Sequence, residues 1–223
     1  MGAGLRERGV VEAPVEVDRI RRAYDAFSRI YFLAGPLECR ARMKGIELAG
    51  ITPADKALEV ATGLGQCFLA MLKRVDRCNI VHGVDLSTAM LEKTRKRAVK
   101  KGYTNFDLRQ ADARNLPFPD KTFDVLYSSY MLDLIPLADL PVVLGEFARV
   151  LKPGGRLVLV NLSKRHPVPV LYEKLYRWKP YALGGCRPVL MESFVREAGF
   201  VEVKRVFLRL PLPSEIVTAR KPI

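Results

Sequence analysis

Leu58–Gln66 reads LEVATGLGQ. A short apolar run carries an acid at Glu59 and gives way at once to a loop in which Gly63 and Gly65 have no side chains. An apolar segment of this length, bounded by glycines, reads as a buried strand. The glycines let backbone approach a ligand that a Cβ would push away, and they permit a positive φ where the turn needs one.

Upstream, residues 1–17 show no periodicity and read as a flexible N-terminal arm, with a single domain over 18–223. Ile20, Tyr24, Phe27 and Tyr31 share one helical face. Gly35-Pro36 breaks that helix, and a second, basic helix is expected over Leu37–Ala49, ended by Gly50 and Pro53. The two form a helical cap over 18–50. Downstream, strands expected at Ala57–Ala61, Ile80–Val84, Phe106–Gln110, Phe123–Ser128 and Arg156–Leu162 alternate with helices at Gln66–Arg74, Ser87–Lys101 and Leu140–Leu151. Ser87 can cap its helix and Gly102 stop it, while Pro153–Gly155 ends the next. A helix over Pro188–Ala198 and strands over Val201–Leu208 and Ser214–Ala219 complete the order. Such alternation means an α/β fold, a doubly wound, mostly parallel seven-stranded sheet with helices on both faces.

The composition, 49% hydrophobic and 27% charged, is that of a globular chain of 223 residues. No apolar run approaches the ~20 residues that span a bilayer. The opening MGAGLRER lacks the apolar stretch of a signal peptide, and Arg6 stands where a myristoylation signal needs Ser or Thr. A cytoplasmic location is expected, peripheral at the inner face of the membrane if the chain meets lipid. Cys39, Cys67, Cys78 and Cys186 form no C-x-x-C pair and read as scattered free thiols, with no metal site expected. The net charge of +13 attracts polyanions, whether nucleic acid, anionic lipid or an acidic substrate, or belongs to a merely basic surface.

In a doubly wound sheet the ligand sits beyond the carboxyl ends of the strands. Asp85 ends the second strand 20 residues after Gly65, the offset of an acid that accepts both hydroxyls of a ribose diol. That pairing fits two nucleoside ligands, dinucleotides and S-adenosylmethionine. Against NAD, the third glycine of the dinucleotide fingerprint is missing, since Gln66-Cys67-Phe68 follows Gly65. A further acid, Asp112 in QADARNLPF (Gln110–Phe118), follows the third strand. It can accept from an adenine amino group while the Ala113 N–H donates to the ring.

EVATGLG (Glu59–Gly65), GVDLSTAML (Gly83–Leu91), DARNLPFPDKTFD (Asp112–Asp124) and FARVLKPGGRL (Phe147–Leu157) together resemble class I S-adenosylmethionine-dependent methyltransferases, on the branch of the ubiquinone/menaquinone (UbiE-like) methyltransferases. The resemblance spans about Tyr24–Leu162. It implies that the last strand runs antiparallel, and that Glu59, Ala61, Gly63, Gly65, Asp85, Leu86, Asp112, Ala113 and Ser128 bind S-adenosyl-L-methionine. Ala61 replaces a glycine of many relatives, a change that this branch tolerates.

Methyl transfer from a sulfonium is an in-line displacement in which the protein mainly aligns the partners, so no triad or metal is required. A base is needed only where the acceptor must lose a proton. The segment Tyr127–Pro136 carries the polar candidates for the acceptor side, Tyr130 and Asp133. Where quinone relatives have an Arg-Asn pair this chain has Asp133-Leu134, which replaces a donor by an acid. Asp133 reads as a catalytic base or amine anchor, or only as a helix cap or a surface acid. His166 is a second candidate base or a loop histidine, whereas His82 lies within a strand and reads as structural. Tyr24 and Tyr31 either close over the cofactor or pack their helix. An acceptor-side insert at 163–188 places Leu171, Leu175, Trp178, Tyr172 and Tyr176 at helical spacing among Lys164, Arg165, Lys174, Arg177 and Lys179. Tyr176 and Trp178 so placed suit a membrane interface or a packed lid.

The expected function is methylation of a hydrophobic or membrane-associated small molecule, quinone-like or lipid. The alternatives are a specialised-metabolite methyltransferase, an RNA or DNA methylase, a nicotinamide oxidoreductase and a non-catalytic S-adenosylmethionine-binding protein. Nucleic acid is disfavoured, because Ser128–Met131 lacks an NPPY-type grip on an exocyclic nitrogen. The sequence leaves oligomeric state open.

Overall fold

The computed structural model describes residues 35–164, 187–209 and 212–223. Helix α1 (Gly35–Leu48) leads into β1 (Ala57–Val60), α2 (Gln66–Leu72), β2 (Val81–Asp85), α3 (Thr88–Lys100), β3 (Phe106–Gln110) and β4 (Phe123–Ser129). A 3₁₀ turn (Leu132–Leu134), α4 (Leu140–Val150), β5 (Leu151–Leu162), α5 (Glu192–Glu197), β6 (Val201–Leu208) and β7 (Ser214–Arg220) follow. The seven strands lie in the order β3-β2-β1-β4-β5-β7-β6. All neighbours are parallel except β7, which runs antiparallel to both β5 and β6.

Alternation along β5 shows how the sheet divides two cores. Val158 and Val160 join Ala41 and Ile46 of α1, Phe68 and Met71 of α2 and Leu91 and Ala98 of α3 on one face. Leu157 and Leu159 join Val143 and Phe147 of α4 and Phe194 and Val195 of α5 on the other. With both faces covered, the central strands need no polar side, so β1 is buried throughout. The order of strands reverses between β1 and β4, and that is where a crevice opens at their carboxyl ends.

Several boundaries differ from expectation, three of them for clear physical reasons. β2 begins at Val81, because Ile80 is 48% exposed and Val81 makes the first pairing, with Phe106. β5 begins at Leu151, which pairs with Phe123, so Pro153–Gly155 interrupts a strand rather than merely ending a helix. Gly154 takes φ +73° there, and its N–H donates to the Lys221 carbonyl. The final helix is short because Val189 is recruited into a bridge with Ser163, its N–H donating to Leu162 O.

Gly83 shows how closely β2 packs against β3, α2 and the loop after β1. A Cβ there would lie 2.7 Å from Leu108 Cδ2 and Thr62 Cγ2 and 2.8 Å from Phe68 Cε2. Gly83→Ala is expected to destabilise the fold by about 1–3 kcal/mol through overpacking, read as a lower urea midpoint. An unchanged midpoint would mean those three side chains move aside together.

Candidate functional site

β1 and β4 end in strained backbone. Ala61, one residue past β1, has φ +66°, and Tyr130, one residue past β4, has φ +52°. Left-handed non-glycine residues cost roughly 1–3 kcal/mol each and gather where the surrounding structure dictates them. Here Ala61 N–H donates to Val84 O at 2.8 Å and Tyr130 N–H to Val160 O at 2.7 Å, so each chain turns sharply outward from its strand. The two turns open a cavity of ≈ 1050 Å³, its mouth included, at the strand-order reversal.

At one end of the cavity stand Glu59 and Arg42. Glu59 is 1% exposed, and its Oε2 has no hydrogen-bond partner among the described residues. Burial raises its pKa well above the usual carboxylate range; Arg42 opposes that shift and Asp85 adds to it. Arg42 is held by Glu38 at 2.6 Å and by Gln66 Oε1 at 2.5 Å, and its guanidinium lies 5.3 Å from the Tyr130 ring centre. Behind it Cys67 Sγ donates to the Tyr127 hydroxyl at 3.5 Å, which donates to Arg42 O at 3.1 Å. Burial pushes the Cys67 thiol up to about 12, so this cysteine is packing rather than a nucleophile.

In the middle, Asp85 orders the glycine loop. Its Oδ2 accepts Gly63 N–H at 2.8 Å and its Oδ1 accepts Ser87 N–H at 2.9 Å. Ser87 in turn caps α3, its Oγ accepting Met90 N–H at 3.2 Å. The two glycines divide their work. Gly63, at φ +51°, lines the cavity, and a Cβ there would meet nothing within 4 Å. Gly65 lies outside the wall: at φ +76° it lets Thr94 of α3 approach to 2.7 Å of where a Cβ would sit.

The far end is built by the loops after β3 and before α4. Asp112, Ala113 and Arg114 line it with Ile135, Pro136 and Asp139. Burial would raise the Asp112 pKa, yet the side chain and N–H of Arg114 outweigh that and hold it below the usual range. Leu86, Met90, Met131, Leu134 and the Tyr130 ring, whose hydroxyl is 2.7 Å from Ser214 Oγ, add an apolar stretch of wall.

This cavity therefore gathers Glu59, Ala61, Gly63, Asp85, Leu86, Asp112, Ala113 and Tyr130 of the residues singled out in the sequence. Ser128 stands apart. It is 2% exposed with Oγ unbonded, and its neighbour Ser129 takes the place on the wall. Asp133 also lies off the wall, fully buried, with Oδ2 accepting Leu162 N–H at 3.3 Å; burial pushes its pKa up to about 7. His82 packs edge-on against Phe118 and Phe123 at 5.5 and 5.3 Å, 3.3 Å from Asp107, away from the cavity. His166, Tyr24, Tyr31, Tyr176 and Trp178 lie outside the described residues, as do the insert's helix and the N-terminal arm. Arg42, Gln66, Thr62, Arg114 and Asp139 were not anticipated. Only Glu38-Arg42 at i,i+4 and Arg114 inside QADARNLPF gave any local sign of them.

The lining could serve an amino acid at the buried Glu59, whose Oε2 is unpaired, beside Arg42, a diol at the backbone-tied Asp85, and a purine in the apolar slot beside Asp112. A methyltransferase-domain family profile matches residues 57–155. The ubiquinone/menaquinone biosynthesis C-methyltransferase UbiE of Teredinibacter turnerae is 39% identical over 132 residues, 59% of this chain and 51% of that protein. The demethylmenaquinone methyltransferase of Symbiobacterium thermophilum is 32% identical over 207 residues, 89% of this chain and 78% of its own length. The chain belongs to the class I S-adenosylmethionine-dependent methyltransferases, in the UbiE branch. Its cofactor is S-adenosyl-L-methionine, which removes the nicotinamide alternative. The alignment with the first relative spans about half of that protein. Among solved structures, the [4+2]-cyclase SpnF superposes with TM-score 0.74 at 21% identity, over 96% of this methyltransferase and 98% of that chain. That likeness shows the fold, and its name shows that this fold alone does not fix the chemistry.

Proposed function

We propose that this methyltransferase moves a methyl group from S-adenosyl-L-methionine to a hydrophobic, quinone-like acceptor held in the same cavity. When bound, the cofactor supplies an activated methyl on a sulfonium. Glu59 and Arg42 face its amino-acid end, Asp85 its ribose, and Asp112 with the Ala113 N–H its adenine. The observation that carries the acceptor class is the wall formed by Tyr130, Met131, Leu134, Ile135 and Pro136. Its one hydroxyl is already bonded to Ser214. An apolar wall of this kind binds by excluding water and aligns the acceptor without proton chemistry of its own.

The inward turn of Asp133 bears on the alternatives. A carboxylate facing the cavity would suit an amine acceptor. Asp133 is instead buried off the wall, with Oδ2 accepting Leu162 N–H, and the position beside it on the wall is Leu134, which favours an uncharged, greasy ring. The relatives' names, which concern ubiquinone and menaquinone biosynthesis, support the same class.

Among the described residues no helix is long and apolar enough to cross a membrane. With a net charge of +13, contact with such an acceptor is proposed to occur at an anionic lipid surface. The test incubates the protein with methyl-labelled cofactor and a short-chain demethylated quinol in phosphatidylglycerol vesicles, with free amines and tRNA as controls. The expected result is label on the quinol, identified by mass, with turnover that falls as salt rises because screening weakens surface attachment. Label on the amine or tRNA instead would refute the acceptor class, and salt-insensitive turnover would refute the membrane part.

A further inference from the structure

Arg114 is the side chain of the proposed adenine end to which neither the family resemblance nor the ligand's chemistry gives a role. Its Nη2 donates to Asp112 Oδ2 at 2.6 Å, and its Nε lies 3.1 and 3.2 Å from the two carboxylate oxygens. Its own backbone N–H donates to Asp112 Oδ1 at 2.9 Å. The remaining arm, Nη1, reaches Asp139 Oδ2 at 2.9 Å. All three residues line the cavity, and their side chains are about one-third exposed.

A second observation shows what Asp139 gives up. It occupies the N-cap of α4, where an aspartate ordinarily accepts an N–H of the first turn, yet its side chain makes no capping bond. Its carboxylate is turned to Arg114 instead, so one guanidinium ties the loop after β3 to the loop before α4. Both loops line the cavity.

An ionised carboxylate has about four lone-pair sites. Arg114 places three N–H protons on Asp112, its backbone N–H on Oδ1, Nη2–H on Oδ2 and Nε–H shared between the two, which sets the direction of the one site that remains. We propose that Arg114 is a positioning residue for purine recognition: it orients Asp112 so that the carboxylate's remaining acceptor site faces the exocyclic amino group, and it anchors the loop before α4 through Asp139. The structure thus assigns the preference for a 6-amino purine to a residue that need not touch the purine. This rests on the cofactor placement proposed above.

The test compares S-adenosylhomocysteine with S-inosylhomocysteine, its 6-oxo analogue, by calorimetry on the full chain. Wild type is expected to favour the adenosine ligand by about tenfold or more, since a carboxylate facing a 6-oxo group loses a charged hydrogen bond. Arg114→Ala should weaken S-adenosylhomocysteine by about tenfold and S-inosylhomocysteine little, which collapses the preference. Arg114→Lys should restore part of it, because the charge returns without the fork. A purely structural role would instead weaken both ligands equally. That result, or an Arg114→Ala preference equal to wild type, overturns the assignment while leaving the cofactor placement intact. No preference in wild type would overturn the Asp112 contact itself, and the inference with it.

Discussion

Asp85→Ala is expected to weaken S-adenosylhomocysteine binding by about a hundred- to a thousandfold, far more than one lost ribose contact would give. In the proposed placement the carboxylate has two duties. Its oxygens already accept the N–H groups of Gly63 and Ser87, at 2.8 and 2.9 Å, and so hold the glycine loop against the start of α3. Bonds to a charged group are worth about 1.5–3 kcal/mol each, and a donor left unsatisfied adds its own penalty. At about 1.4 kcal/mol per decade, losing the diol together with an ordered loop reaches two to three decades. Asp85→Asn separates the parts. An amide keeps one acceptor oxygen but cannot accept from both backbone N–H groups, so an intermediate loss is expected. Titration calorimetry on both variants, with melting curves as control, reads the outcome. Affinity within threefold of wild type for Asp85→Ala would show that the diol is held elsewhere.

What the sequence disclosed and what it hid follow from how far each interaction reaches. The place of Glu59, Gly63, Asp85 and Asp112 on the cavity wall was legible because each stands at or within three residues of a strand's carboxyl end, and strand ends can be counted along the chain. The same counting fails where one residue changes the answer. The fourth strand extends through Ser129, whose Cα pairs with Val160, and successive side chains of a strand point to opposite faces. The cavity therefore receives Ser129, while Ser128 turns into the other core. Gly65 looked like a ligand-approach glycine, but it accommodates Thr94, 29 positions later, a contact that only tertiary packing creates. Arg42 was hidden for the same reason: its partner Gln66 is 24 residues away and its cavity exists only once α1 packs on the sheet. Asp133 was visible as an acid in the acceptor segment. Its direction was not, because that depends on Leu162 N–H at the end of β5.

Glu59→Gln is the sharpest test of the amino-acid end, because binding and stability should move in opposite directions. Burial disfavours the charged carboxylate, Arg42 only partly compensates, and Asp85 adds repulsion, so in the folded chain Glu59 keeps its proton to higher pH than in the unfolded chain. Between those two pKa values the folded state binds more protons. Stability therefore falls as pH rises through that window, and the full cost persists above it. Glutamine has no charge to bury. The urea midpoint of Glu59→Gln should equal or exceed that of wild type at pH 8, with the gap closing toward pH 4. Binding should go the other way. An ammonium beside Glu59 restores the charged form, so association releases a proton and wild-type affinity rises with pH across the same window. Glutamine forfeits the charged bond, and a loss of about a hundredfold is expected from a buried ammonium–carboxylate pair with one partner neutralised. Calorimetry in two buffers of different ionisation enthalpy measures the released proton directly. If wild type binds without proton release and Glu59→Gln binds as tightly, the half-paired carboxylate serves the fold, and the amino-acid end of the cofactor lies against Arg42 alone.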